Sequence, residues 1–461
     1  MKNFRKSMMM LAVAAGVIFL NACEFFLEDF MQKDELSVPV TELEFEADGE
    51  LQFVTVDTNV SSWSASTKDT WMTISHEENQ FSVKAKNHSD TKNDRTGIIT
   101  VKAGEATPVT IIVTQLKEEF YNDRDVIKLQ SATVGKGVNI VLMGDGYTSK
   151  DMRKRAGKYE LEMREAADHF FSVQPYIRYR DHFNVYMVVA VSNQEGVSVK
   201  TPAKKVDTKF SAIWEGGKST GLDFDNDMVF EYVETIDELS SVHLHDITVI
   251  LPINADFYAG TCWMWYPTNY KGAGAGFSVA LCPVSRNFKG NIGGDFRALV
   301  LHEAGGHGFA KLADEYLTYN STITLTEKNK VIQQKNDWDW RENVDFSSDM
   351  TKTTWSGFAS RSKYNMVSAF EGAYYYTKGV WRSENNSCMN DNVAYFNAPS
   401  RWAQVRLIKK LAGLSYTFAQ FLQEDVIPEY PAGTHAKSAE EFVPLAPPVV
   451  MENLPVINKK Y

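Results

Sequence analysis

The sequence is poor in cysteine, with four in 461 residues. Apart from Cys23 near the start, only Cys262, Cys282 and Cys388 are present. Three cysteines cannot all pair with one another, so at most one disulfide bridge can form among them and a disulfide scaffold is excluded. A cysteine–histidine nucleophile is disfavoured, because none of the three stands in a local sequence that supports one.

Positive charge and long apolar runs are also scarce. The 48 lysines and arginines are outnumbered by 59 aspartates and glutamates, which gives a formal net charge of -11. Phosphate binding relies on clustered lysine and arginine, so this composition argues against a nucleic-acid partner. Beyond the first segment, no apolar run reaches the roughly 20 residues that span a bilayer. The length and the 44% hydrophobic content fit a globular protein of two or three domains.

The first 22 residues have the pattern of a secretory signal. A basic start is followed by an apolar run to Leu20 and then by Asn21, Ala22 and Cys23. An uncleaved transmembrane anchor is disfavoured, because the run is shorter than roughly 20 residues. Residues 20–23 resemble the bacterial lipobox, which implies a lipoprotein signal peptide over 1–22 and lipidation at Cys23.

The lipobox resemblance also implies a location. The protein is expected outside the cytoplasm, anchored to the outer membrane of a Gram-negative bacterium and in contact with the membrane only through its lipid. The acidic segment 24–29 resembles the signal that sends some such lipoproteins to the cell surface, so surface exposure is a further expectation. Residues 23–37 are interpreted as a linker.

Residues 38–117 read as short strands separated by turns, which predicts an all-β, Ig-like sandwich. The residues that carry a further resemblance are Trp63, Trp71, Asn87, Arg95 and Gln115. Their order is similar to that of BACON domains, a family that implies contact with glycans or mucin. The two tryptophans are candidates for a sugar platform, but a core role is favoured for both.

The segment around residues 302–307 carries the clearest chemistry. His302 and Glu303 are followed by His307, which is close to the H-E-x-x-H pattern in which two histidines hold zinc and the glutamate acts on a water. Five residues of regular α-helix would separate the imidazoles by roughly 140°. Gly305 and Gly306 would tolerate a π-bulge that brings the rings together. The sequence therefore predicts a distorted helix, with His302 and His307 as Zn²⁺ ligands and Glu303 as the general base.

A catalytic zinc ion needs a third protein ligand. In a straight helix, Asp314 would lie about 10 Å along the axis from His307, so the chain must turn near Ala310 or the ligand lies elsewhere. Asp314 is favoured, Glu315 is the alternate, and Glu371 is a distant candidate. The alternative role for Asp314 and Glu315 is to support the ligands or to end the helix.

Residues 119–427 have the pattern of an α/β (α+β) domain, and four motifs occur one after another within this region. The segment 302–307 resembles the H-E-x-x-G-H signature of the dipeptidyl-peptidase III class. Segments 144–147, 183–186, 312–316 and 388–389 together resemble the bacterial IgA-peptidase family of zinc metallopeptidases. The resemblance implies a zincin-like metallopeptidase domain with Met389 as the floor of the site. The longer histidine spacing departs from many members.

Other features complete the expectation. Residues 272–281 are proposed as the edge strand that pairs with an extended substrate. Candidate oxyanion donors are Tyr316, Tyr374, Tyr375, Tyr376 and Tyr395. The tail 428–461 is rich in proline and is expected to be extended.

The expected protein is thus multi-domain, with a BACON/Ig-like sandwich followed by a zinc peptidase acting on extracellular proteins or peptides, host glycoproteins among them. The competing interpretation is a catalytically inactive surface protein, an adhesin or a glycan-associated module, that keeps the zincin fold. The histidine spacing favours that alternative, whereas the retained Glu303 argues against it.

Overall fold

A computed structural model describes residues 33–266, 271, 272, 274, 276–286, 294–429, 443–452 and 454. The chain divides into two compact units, Met1–Glu119 and Phe120–Tyr461. The predicted signal peptide 1–22, Cys23 and part of the linker lie outside the described residues, so those expectations stay predictions. Among the described residues, no helix is both long and apolar enough to pass through a bilayer.

The first unit contains strands and turns throughout its described part. Its strands are β1 Leu36–Ser37, β2 Glu42–Phe45, β3 Leu51–Thr55, β4 Asp57–Thr58, β5 Trp63–Thr67, β6 Met72–His76, β7 Gln80–Ala85, β8 Arg95–Ala103 and β9 Val109–Gln115. One sheet has the order β2-β9-β8-β5 and another the order β3-β7-β6. Alternate residues of both sheets, such as Phe45 and Phe81, point into one core, as expected for half-buried strands. An N-terminal β unit is therefore present, while its assignment as a BACON fold stays a prediction.

The residues that carry the BACON resemblance make structural contacts. The Arg95 guanidinium donates to Gln115 Oε1 at 2.9 and 2.7 Å and lies 4.6 Å from the ring centre of Trp71. Trp63 is half-buried and packs against Phe81, with ring centres 6.1 Å apart. Both tryptophans pack against the core of the unit, in agreement with the favoured core role.

The second unit mixes strands and helices. Its strands are β10 Val126–Gln130, β11 Val138–Leu142, β12 Phe183–Val188, β13 Ser198–Thr201, β14 Ile213–Gly216, β15 Leu222–Asp223, β16 Ile247–Ile253, β17 Thr261–Tyr266, β18 Phe277–Pro283, β19 Leu317–Thr322, β20 Val344–Asp345, β21 Phe370–Ala373, β22 Tyr375–Arg382 and β23 Val449–Glu452. Its α-helices are α1 Lys158–Phe170, α2 Asn226–Val233, α3 Phe296–Leu299, α4 Leu325–Trp338, α5 Cys388–Asp391, α6 Ala398–Leu411 and α7 Phe418–Glu424. A π-helix, Val300–Phe309, continues directly from α3.

The central sheet has the order β10-β12-β11-β16-β18-β17-β23. The predicted strands β11 and β16 are buried along their whole length, because helices and loops cover both faces of the sheet. On one face α1 and the π-helix pack into a single core, and α2 packs on the other face.

One strand prediction is wrong. Residues 272–281 were expected to form the substrate-pairing edge strand, but β18 pairs with β16 on one side and with β17 on the other. It is an interior strand, so its backbone groups are already used by its neighbours. Strand β17 lies nearer the edge, and β23 from the tail pairs with it in parallel.

A buried ion pair ties the end of the unit together. The Arg401 guanidinium on α6 donates to both carboxylate oxygens of Asp425, at 2.9 and 2.8 Å, and to the Phe396 carbonyl at 2.6 Å. Both side chains of the pair are almost fully buried.

Replacing Arg401 by methionine is expected to lower the free energy of unfolding by about 3–5 kcal/mol, because Asp425 is left buried without its partner. Urea titration measures this. The control is Arg406→Met on the same helix, where the ion pairs with Asp339 and Glu342 are partly exposed and a change below about 1 kcal/mol is expected. Equal decreases in the free energy of unfolding of the two variants would contradict the stabilising role of the buried Arg401–Asp425 pair.

Candidate metal centre

The two histidines lie on a continuous π-helix rather than on an α-helix with a single bulge. In a π-helix each N–H bonds the carbonyl five residues earlier, so side chains five apart stand close together. The ring centres of His302 and His307 are accordingly 4.8 Å apart. The predicted distortion of this helix is confirmed, and it extends over ten residues, all of them buried.

Glycines are needed inside this helix because other side chains approach its backbone. A Cβ on Gly306 would lie 2.2 Å from the Met389 sulfur, and a Cβ on Gly305 would lie 3.2 Å from the Tyr176 ring. The Tyr176 hydroxyl also donates to the Gly305 carbonyl at 2.5 Å. Met389 is fully buried against the helix at the position between the two histidines, which is where the predicted floor of the site would lie.

The chain turns immediately after the π-helix. Ala310 caps the helix, and Lys311 has a φ of 56°, in the left-handed region. The Lys311 and Leu312 amides donate back to the carbonyls of His307 and Gly306, at 3.1 and 3.0 Å. The predicted turn near Ala310 thus occurs at a lysine, and it carries the following residues back alongside the helix.

Three acceptor atoms converge after this turn. His302 Nε2 and His307 Nε2 lie 3.0 and 3.2 Å from the same oxygen, Oδ1 of Asp314. The ligand atoms of this buried group all lie within 4.8 Å of one another, and the group could hold a metal ion.

The hydrogen bonds on the far side of each ring fit a metal site. His302 Nδ1 donates to the Cys388 carbonyl at 3.0 Å, and His307 Nδ1 donates to the Leu312 carbonyl at 2.9 Å. A carbonyl can only accept, so each Nδ1 carries a proton and each ring directs Nε2 at Asp314. In its neutral form each ring has a lone pair at that nitrogen, as a metal ligand requires. Two lone pairs and a carboxylate facing one point repel one another unless a cation lies between them. The residues present therefore fit a metal with nitrogen and oxygen ligands, such as zinc.

Asp314 is held from its other side by a tyrosine. Tyr375 donates to Asp314 Oδ2 at 2.5 Å, which leaves Oδ1 directed at the histidines. Burial alone would raise the pKa of this carboxyl, but the adjoining His307 and His302 rings hold the pKa well below its ordinary value. Asp314 is therefore ionised, as a metal ligand must be.

The structure does not bring the other two ligand candidates into the group. Glu315 is buried, but its Oε1 accepts from Asn343 and Asn397 at 2.8 and 2.7 Å, and its Oε2 accepts from Ser387 at 2.7 Å. The Ser387 bond joins the segment after the π-helix to the start of α5, and the Asn397 bond joins it to the start of α6. Glu371 is exposed and accepts from the Gly379 amide at 3.0 Å.

Glu303 is a buried carboxyl group whose two oxygens both lack a hydrogen bond to the described part of the chain. Its side chain is 0% exposed, and neither carboxylate oxygen makes a hydrogen bond with a described residue. Burial raises the pKa of Glu303 to about 8, and the charge of Asp314 adds to the effect, while His302 and the nearby backbone amide of Cys262 oppose it. A buried carboxylate normally has hydrogen bonds, so this one fits a place where water or substrate supplies them.

A glycine makes room for this carboxylate. A Cβ on Gly260 would lie 2.7 Å from Glu303 Oε1. We expect Gly260→Ala to displace the carboxylate and to lower the rate of peptide cleavage by up to about 10²-fold, since small misplacements of catalytic groups have effects of that size. Zinc content should not change. The control is Gly217→Ala, whose added methyl meets no atom within 4 Å. Its φ of 63° makes alanine strained there, so this variant should be less stable than wild type while its cleavage rate per folded molecule is unchanged.

Two tyrosines lie close enough to Glu303 and Asp314 for the charges of these carboxylates to affect their pKa values. Burial raises the pKa of both Tyr258 and Tyr316, and the charges of Glu303 and Asp314 contribute to each shift. Tyr316 was among the predicted oxyanion donors, whereas Tyr258 was not. Tyr395, also predicted, donates to Glu384 instead at 2.7 Å.

The family is decided by a comparison of the sequence. The family model described as IgA peptidase M64 matches residues 127–364, just over half of the chain. The chain belongs to this family of peptidases. The predicted resemblance is confirmed, and the match covers the histidine pair, Glu303 and Asp314.

The solved structures that resemble this M64 member do so with low sequence identity and low TM-scores. No curated protein matches it. A protein from Bacteroides thetaiotaomicron is 23% identical, covering 18% of this chain and 86% of that one with a TM-score of 0.15. A Bacteroides ovatus GH5 xyloglucanase is 19% identical, covering 48% and 45% with a TM-score of 0.20. The Ig1-2 module of a Drosophila receptor tyrosine phosphatase is 8% identical, covering 25% and 62% with a TM-score of 0.16.

The motif Gly144–Tyr147, which helped to indicate the M64 family, has a structural role. Asp145 is fully buried and accepts from Thr208 Oγ1 and from the Phe210 and Ala212 amides, at 2.7 to 2.9 Å. Burial raises the pKa of Asp145, and these donors oppose the effect. The motif therefore holds the loop before β14 against the sheet.

Sequence reasoning missed the residues that support the third ligand. Asn343 accepts from the Ala313 amide and donates to the Ala313 carbonyl, both at 2.8 Å, so it fixes the residue before Asp314. The buried Arg341 donates to the Leu312 carbonyl at 2.6 Å, the same oxygen that His307 uses. Both lie about 30 residues away along the chain, and no spacing pattern connects them to the histidines.

Proposed function

We propose that the protein is a zinc-dependent peptidase that hydrolyses peptide bonds of extracellular proteins or peptides. The observation that carries the proposal is the pairing of a convergent His302, His307 and Asp314 group with a buried Glu303 whose carboxylate oxygens make no hydrogen bond to any residue that the structure describes. A protein that only binds other molecules has no use for such a carboxylate, which favours the enzyme over the inactive surface module.

Each residue has a distinct role in this proposal. His302, His307 and Asp314 would hold the ion. A zinc ion in that place supplies Lewis-acid chemistry, since it polarises a carbonyl and acidifies water. A cation held beside Glu303 would lower the pKa that burial raises, and the ionised Glu303 would take the proton of the attacking water and pass it to the leaving amine. Tyr258 and Tyr316, whose hydroxyls donate to the Val443 and Leu445 carbonyls here, could donate to the oxyanion once those carbonyls are displaced.

The rest of the chain suggests where this activity is used. The sequence of residues 1–23 supports an outer-membrane lipoprotein with its catalytic unit outside the cytoplasm, and the acidic residues after Cys23 support surface exposure. Protein or peptide substrates, host glycoproteins among them, and a glycan contact through the first unit belong to the same proposal.

Metal removal tests the proposal. Dialysis against a chelator should abolish cleavage of a peptide library, and one equivalent of Zn²⁺ should restore it, whereas Mg²⁺ should not, because nitrogen ligands suit zinc and oxygen ligands suit magnesium. Cleavage that survives complete removal of metal would contradict the proposal.

A further inference from the structure

The described part of the tail lies along the strand that begins at the metal centre. Strand β23 pairs with β17 in parallel, from Trp263 opposite Val449 to Tyr266 opposite Glu452. Strand β17 starts directly after Gly260, the residue that abuts the Glu303 carboxylate. An edge strand beside a catalytic centre is a place where an extended peptide can add its backbone. Here the chain's own tail occupies that edge.

The residues before β23 are held by their backbone. Three successive carbonyls, those of Val443, Pro444 and Leu445, accept hydrogen bonds from side-chain hydroxyls. The donors are Tyr258 at 2.9 Å, Thr220 at 3.0 Å and Tyr316 at 2.7 Å. Contacts to carbonyls do not depend on the side chains of the bound segment, so any extended peptide could make them.

The segment is connected to Asp314 through two tyrosines. The Tyr316 ring packs against Tyr375, with ring centres 5.4 Å apart, and Tyr375 donates to Asp314. A cavity of about 680 Å³ lies beside the segment and is lined by Thr261, Trp263, Tyr316 and Tyr375 together with tail residues. Pockets of this size are typical of ligand sites.

One side chain of the tail is buried, whereas another two residues before it is exposed. Leu445 is 2% exposed and belongs to the hydrophobic core that also contains Met389, whereas Val443 is 49% exposed. Burial of an aliphatic side chain stabilises a bound chain, because apolar surface is removed from water. Leu445 therefore fills an apolar pocket in a groove that otherwise binds the tail through its backbone.

We propose that residues 443–452 are an intramolecular ligand of the peptide groove, and that the pocket filled by Leu445 selects an aliphatic side chain in an extended peptide substrate. The tail then competes with substrate for the same backbone contacts. That the tail occupies this groove follows from the contacts alone. That the groove is the place where substrate binds rests on the proposed function.

The test uses the full chain and a fluorescein-labelled synthetic peptide with the sequence of residues 443–452. Leu445→Asp should release the tail, so this variant should bind the labelled peptide at least tenfold more tightly than wild type. The matched control is Val443→Asp, which adds the same charge at an exposed position and should bind like wild type. Thr220→Val removes only the hydroxyl on the Pro444 carbonyl and should give a smaller increase, about threefold. Circular dichroism establishes that each variant is folded.

The outcomes separate the occupancy of the groove from the proposed function. Equal peptide binding by wild type, Leu445→Asp and Thr220→Val would overturn the occupancy. Faster cleavage of short aliphatic peptides by Leu445→Asp, inhibited by the synthetic peptide, supports both parts. If the synthetic peptide bound to an active enzyme without inhibiting cleavage, the groove would not be the substrate groove. Tight peptide binding with no cleavage by any protein supports the occupancy and overturns the proposed function.

Discussion

Replacing Asp314 by alanine is expected to lower zinc affinity by at least about 100-fold and to abolish cleavage. The carboxylate oxygen Oδ1 is the point on which both histidine Nε2 atoms converge, at 3.0 and 3.2 Å. Loss of a residue that only supports a ligand already costs about 10–100-fold in affinity, and loss of a ligand costs more. Competition with a zinc-selective fluorescent chelator measures the affinity.

The neighbouring carboxylate provides the control. Glu315→Gln can keep an oxygen for the Asn343 and Asn397 amides, but it places an NH₂ group where Ser387 donates, so it should lower the free energy of unfolding by about 1–3 kcal/mol. Zinc should remain bound in this variant. If Glu315→Gln lost the metal while Asp314→Ala kept it, the assignment of the third ligand would be wrong.

Glu303→Gln should lower kcat by about 10²–10⁴-fold, the usual contribution of a general acid–base group. The substitution removes the proton acceptor and nearly preserves the shape of the side chain. Because neither oxygen of Glu303 makes a hydrogen bond with a described residue, the amide breaks none there and the variant should fold and bind zinc as wild type does. Steady-state kinetics on a short peptide measure the change. A variant with undiminished kcat would refute the role of Glu303.

The local part of the site was predictable from the sequence. The five-residue spacing of His302 and His307 is incompatible with a shared metal on a regular α-helix, and the two glycines between them indicate where the helix can change. A local distortion of the helix follows from those two facts, whereas its extension to a π-helix of ten residues does not. The need for a turn before Asp314 was also readable, because a straight helix would carry it away from His307.

The remaining features depend on contacts that sequence spacing does not reveal. The turn falls on Lys311, although a left-handed φ usually marks glycine or asparagine. The order of strands placed β18 in the interior and β17 next to the tail, because pairing partners in a sheet are set by the whole fold rather than by local pattern. The supporting Asn343 and the nearby Tyr258 come from distant loops for the same reason.

The central claim is that one metal ion and Glu303 act together in a peptidase. The measurement that tests it most directly is elemental analysis of purified wild type, with cleavage of a mixed peptide library assayed on the same sample. We predict one zinc ion per chain and cleavage that scales with zinc content. Stoichiometric zinc without cleavage, or cleavage by a protein that contains no zinc, would contradict the claim.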